Sequence, residues 1–211
     1  MPHNWPLGKF RLFVSHLSHY HAYASQLAGW LDGFGISSFI AHEAIEPSAE
    51  WQIEIESALS TADALVALLH PDFHTSKWCD QELGFVMGRG KPVLSVRLGA
   101  DPHGFIGKYQ GIPGLGRPEK EVADAIITAL AGKSNSSRQI ARVLAGKLSN
   151  CGWDDVRKFT KLAERIAVGG PQAGNILRAA ISGNSDIRTE NQLGAEAKLN
   201  TLATQWLSET D

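Results

Sequence analysis

Six consecutive apolar residues, Ala64 to Leu69, constrain the fold of this chain more than any other feature. The run is too short for a helix of ordinary length and shows no polar alternation. It reads as a strand buried on both faces, the situation of a central strand in a parallel sheet covered by helices. The flanking segments agree. Phe10–Ser15 and residues 92–98 are strand-like, and residues 36–41 read as a further strand. Between them lie amphipathic stretches. Tyr20, Tyr23, Leu27, Trp30 and Leu31 recur at helical spacing through residues 18–34, where Gly33 and Gly35 stop the run. Residues 48–60 place Trp51, Ile55, Ala58 and Leu59 on one helical face. A third helix, capped by Thr75 or Ser76, carries Trp78, Glu82 and Phe85, and residues 119–130 form a fourth. Residues 104–116 are glycine-rich and irregular. Alternating strands and helices of this kind predict an α/β fold with a parallel sheet.

The pattern changes at residues 132–137, a Gly, Ser and Asn-rich stretch that reads as a linker. Beyond it only helical periodicity is visible, over residues 138–148, 154–168, 172–181 and 193–207. The expected organisation is an α/β domain over 1–132 and a small helical appendage over 133–211.

Composition narrows the function. Of 211 residues, 43% are hydrophobic and 20% charged, a balance that excludes a disordered chain. Twenty basic residues face 22 acidic ones, a net charge of -2, so no basic field for a phosphate backbone exists and a nucleic acid partner is not expected. The longest apolar run falls far short of a bilayer span, so no membrane partner is expected either. The start, Met-Pro-His-Asn-Trp-Pro, lacks a basic stretch followed by an apolar one, which predicts a cytoplasmic protein. Cys79 and Cys151 are too few for a disulfide framework and fit a reducing compartment. His16, His19, His21, His42, His70 and His74 gather near strand ends, but His16 and His19 are not an i, i+4 pair, and no metal is expected. They read instead as the lining of a polar cleft. Gly84, Gly88 and Gly90 do not make a phosphate loop.

The order of motifs resembles that of TIR domains over about residues 10 to 130. Phe13-Val14-Ser15-His16 is similar to the family's opening motif at the end of its first strand. Residues 39–48, followed by Trp51, resemble the second strand, BB loop and helix B of bacterial members. Ser76-Lys77-Trp78-Cys79-Asp80-Gln81-Glu82 resembles the Ser-x-x-Trp-x-x-x-Glu signature of helix C, with the serine one residue closer to the tryptophan. Ala41, Ser48 and Leu17 depart from residues common in the family at those positions.

That resemblance implies a flavodoxin-like fold, with five parallel strands and helices on both faces. It implies either cleavage of NAD to nicotinamide and ADP-ribose or a cyclic isomer, or assembly as a scaffold through a BB loop around Pro47. The nearest type is the NAD-cleaving, Thoeris-like TIR of bacterial anti-phage defence. Glu82 then matches the catalytic glutamate, with Ser15, His16, Glu46, Trp51 and Trp78 at substrate-binding positions. NAD would be a substrate, with no cofactor, and the partners would be further TIR copies and a downstream effector that binds the product. One carboxylate suffices for such chemistry. The nicotinamide of NAD is already cationic and leaves neutral, whereas ordinary glycosides require a second, acidic carboxyl group. Trp78 and Glu82, four residues apart, share one helix face.

Overall fold

A computed structural model of the chain describes residues 3–40, 49–189 and 194–210. Its strands are β1 (Phe10–Ser15), β2 (Ile36–Ile40), β3 (Ala64–Leu69), β4 (Val93–Arg97) and β5 (Ile112–Pro113). They form one parallel sheet in the order β2-β1-β3-β4-β5. Every residue of β3 is buried, because β3 lies between β1 and β4 with side chains packed on both faces. The fold is the doubly wound, flavodoxin-like α/β arrangement, and the five strands match the number the resemblance implies. β5 lies in the stretch that periodicity reads as irregular; two residues are too few to show any period.

Four helices accompany the sheet: α1 (His21–Asp32), α2 (Ala49–Thr61), α3 (Lys77–Gly88) and α4 (Glu119–Ala131). A separate 3₁₀ turn, Ser18–Tyr20, precedes α1 where the sequence suggested one longer helix. Strand alternation sorts the core into two sides. Phe13, Leu65, Ala67 and Leu69 pack with Ile55, Ala58 and Leu59 of α2 and with Cys79, Leu83 and Val86 of α3. The intervening Leu12, Val14, Val66 and Leu68 are closed to solvent on the other side. Each such large side chain contributes about 1.5–3 kcal/mol by leaving water.

At the start of β1, Asp63 is buried and accepts from three donors of Arg11: the backbone N at 3.0 Å, Nε at 2.9 Å and Nη2 at 2.6 Å. This hydrogen-bonded pairing raises the guanidinium pKa above its ordinary value against the opposing effect of burial. The bond ties β1 to the loop entering β3 and helps set their register, Leu12 beside Ala64 and Ser15 beside Ala67.

The chain divides into two compact units, Met1–Ile127 and Thr128–Asp211. The division falls five residues before the expected boundary at 132. The expected linker is mostly helix: α5 (Ser134–Leu148) begins within it, and only Gly132 and Lys133 separate α5 from α4. Ser136 and Ser137 are buried there, with Ser136 Oγ donating to the Leu130 carbonyl at 2.7 Å. The second unit continues with α6 (Trp153–Ala163), α7 (Pro171–Gly183), α8 (Ser185–Thr189) and α9 (Ala195–Ser208). Helix α6 ends five residues earlier than its apolar spacing suggests. Ile166 is buried from a loop instead, and the turn continues through Gly170 at φ +82°. Two glycines admit α9: a Cβ on Gly169 would run into the Trp206 ring, and one on Gly174 would meet Leu207 Cγ at 2.8 Å.

Candidate functional site

In an open parallel sheet the carboxyl ends of the strands are where ligands bind, above all where the strand order reverses. Here the reversal lies between β1 and β3, which end at Ser15 and Leu69. After β3 the chain passes through Asp72, in the left-handed region at φ 66°, and a 3₁₀ turn at Phe73–Thr75 before α3 begins. Ser76 caps that helix, its Oγ accepting from the Cys79 N–H at 3.3 Å. The cap leaves Glu82 in the second turn, on the face turned toward β1.

Glu82 is 5% exposed, an uncommon state for a carboxylate, which is rarely fully buried without a partner. One partner is Ser15, fully buried at the end of β1, whose hydroxyl donates to Glu82 Oε2 at 2.5 Å. One turn earlier on α3, the buried Cys79 thiol points at the His16 carbonyl, 3.8 Å away. Consecutive residues of β1 and its exit thus hold successive turns of α3. Glu82 also lines a cleft of about 740 Å³ between α2 and α3, with Trp78, Gln81 and Phe85 on one wall and Ile53, Glu56 and Ser60 on the other. Among the described residues the charged side chains of its lining, Glu56 and Glu82, are both acidic, and no Lys or Arg lines it. A cleft of this size and charge suits a small molecule with a cationic, planar end.

The sequence-derived residues fall into three groups. Ser15, Trp78 and Glu82 meet at this cleft and its floor. Trp51 approaches from α2, its ring edge-on to that of Trp78 with centroids 6.0 Å apart. His16 is buried beside Ser15, but alternation points its ring to the other side of the sheet. There its Nδ1 lies 3.3 Å from the Val14 carbonyl and its ring 5.8 Å from that of His21. Glu46, with the rest of 41–48, lies outside the described residues.

Four of the histidines, His16, His19, His21 and His70, gather around Tyr20. His70, 4% exposed at the end of β3, stacks on Tyr20 and meets Tyr23 edge-on, both from the α1 side. Burial, then the neighbouring His16 and His19, lower its pKa to about 4. Tyr23 is shifted the other way, to about 12, by burial and by Glu119. His74 is exposed and lies near His103, and His42 falls outside the described residues. Among the described residues no group of three or more His, Cys, Asp or Glu side chains could hold a metal ion, and no helix is long and apolar enough to cross a membrane.

Two parts of the site were missed from sequence. Ile53, Glu56 and Ser60 form the outer face of α2 and the far wall of the cleft. An apolar Ile53, 56% exposed on the face opposite Ile55, Ala58 and Leu59, was the available signal. The pairing of Ser15 with Glu82 had none, because 67 residues separate them.

The molecule is a doubly wound α/β unit with a buried carboxylate held by the end of β1 and lining a cleft between α2 and α3. The family model for the TIR domain matches residues 12–127, more than half of the chain, and the chain belongs to that family. No curated protein matches the chain closely enough to count as a relative.

Proposed function

We propose that the TIR unit cleaves the N-glycosidic bond of NAD. The carrying observation is Glu82, a buried carboxylate bound on one oxygen by Ser15 and lining an acidic, aromatic-walled cleft. In this reading the cleft takes the nicotinamide–ribose end of NAD. Trp78 offers an aromatic wall to the cationic ring, and Glu82 lies against the ribose. The C1′–N bond breaks with both electrons passing to the nicotinamide nitrogen, so the base leaves neutral and needs no proton. The positive charge moves to the ribose, where the carboxylate of the buried Glu82 stabilises it. Attack by water on C1′, with loss of one proton to solvent, gives ADP-ribose; attack by a nitrogen of the adenine gives a cyclic isomer.

Among the described residues the acidic lining offers the pyrophosphate of NAD no cation inside the cleft. That half of the substrate is held elsewhere, and a second TIR copy packed over the opening supplies the missing surface. Ile53, Trp78 and Phe85, exposed together along the cleft, suit such packing. Self-association and catalysis are then one event. The product acts as a messenger to a separate effector, or the loss of NAD acts by itself, in an anti-phage response inside the bacterial cell.

The test is incubation of the protein with NAD, dilute and concentrated under crowding, with products resolved by chromatography and mass detection. Wild type releases nicotinamide, and Glu82→Ala lowers the rate by about 100-fold or more, as expected when the main electrostatic stabiliser is removed. NAD surviving every condition with assembly intact would leave the scaffold function alone.

A further inference from the structure

We infer that Ser15 is a positioning residue for Glu82, holding its carboxylate ionised and aimed at the cleft, rather than a group that binds substrate. The inference rests on the glycosidase reading for its effect on turnover and on the geometry alone for its effect on the carboxyl group.

A serine hydroxyl carries one proton. That of Ser15 is committed to Glu82 Oε2 at 2.5 Å, a short, charge-assisted hydrogen bond between two buried groups. Ser15 itself is fully buried and is not among the residues lining the cleft, whereas Glu82 is. The hydroxyl therefore acts through the carboxylate. Two consequences follow from the bond. Burial disfavours the charged form of any carboxyl group, and a donated O–H favours it, so Ser15 opposes the cost of enclosing Glu82. Fixing Oε2 also sets the plane of the carboxylate. The link from Cys79 to His16, one turn away, holds the helix in the same register and so keeps the two groups within reach. A glutamate on a helix has several rotamers; a fixed partner on β1 selects one. In the family signature the glutamate is read by its spacing from the tryptophan on the same helix, but here its orientation is set from a different element.

Among the described residues, the titratable groups near Glu82 include Glu56, lining the same cleft from α2, and His16, next to Ser15 at the end of β1. Both are unchanged in a Ser15 variant, so a difference between the two proteins reports the hydroxyl.

The experiment compares wild type, Ser15→Ala and Ser15→Thr, with folding checked by thermal melting. Carboxyl-labelled glutamate is followed by carbon NMR during a pH titration, and Glu82→Gln identifies the resonance. In Ser15→Ala the Glu82 carboxyl titrates at higher pH than in wild type, and Ser15→Thr, which keeps the hydroxyl, stays nearer wild type. With NAD, Ser15→Ala loses about tenfold or more in kcat with little change in KM, and the acid limb of its pH profile moves up. If NAD is never cleaved, the glycosidase reading falls and the NMR titration still decides the role of Ser15. An unchanged Glu82 titration in a folded Ser15→Ala protein overturns the inference, as does a rise in KM with kcat unchanged.

Discussion

Burial and not charge pairing governs the titration of His70. Its ring is enclosed by Tyr20 and Tyr23, and proton uptake there would place a cation near His16 and His19. The folded state therefore holds His70 neutral down to about pH 4, while the unfolded chain binds the proton near the ordinary value of 6.5. Between these values the unfolded state carries the extra proton, so stability rises with pH across the window and is lost as pH falls through it. Urea unfolding of wild type at a series of pH values from 7 to 4 should show this decline, and His70→Phe should flatten it. An equally steep decline in the variant would assign the effect to other groups. Tyr23 behaves as the mirror case: its phenol stays protonated to about pH 12, and that stabilising contribution is lost as pH rises above the ordinary value near 10.

Helix α3 shows how an element aims a side chain. Its start is fixed by the Ser76 cap, its inward face by Cys79, Leu83 and Val86, and Glu82 follows from both. Replacing Ser76 by Ala removes one capping bond and should cost about 1 kcal/mol, visible as a melting temperature lower by a few degrees, with Ser76→Thr recovering most of it. Because the cap lies six residues before Glu82, the Ala variant should also loosen the Glu82 resonance in the NMR titration. Elements of this kind were legible in the sequence because an apolar period of 3.6 or an unbroken apolar run survives burial. Those that escaped were short or ended by tertiary contacts. Two-residue β5 and five-residue α8 carry no period, and α6 stops at Ala163 although apolar residues continue to Val168. The candidate site divides in the same way. Trp78 and Glu82 share one helix and could be paired from spacing, whereas Ser15 and the outer wall of α2 join them only through the sheet order. His16, adjacent to Ser15, was grouped with the site, but strand alternation sends its ring to the opposite side.

In the whole molecule, two units carry different kinds of packing. The first rests on a sheet with side chains on both faces, the second on helices brought close by small residues. Gly169 faces the ring of the fully buried Trp206, and Gly174 the backbone of α9. Gly169→Ala forces the indole or the chain to move and should destabilise the second unit by about 1–3 kcal/mol. Calorimetry is the measurement, since two compact units need not unfold in one step; the transition belonging to residues 128–211 should shift down. Unchanged melting throughout would mean that the seam yields without cost.

The bond between Ser15 and Glu82 also dates the site within the life of the chain. It closes a loop of 67 residues that includes β2, α2 and β3, and closing so long a loop is entropically costly until the intervening strands have paired. A ribosome-bound chain, or one caught half-folded, has the glutamate but not the grip upon it. The carboxylate is therefore aimed only after β1 and β3 have come together, a step that the order of the chain places late in the making of the site.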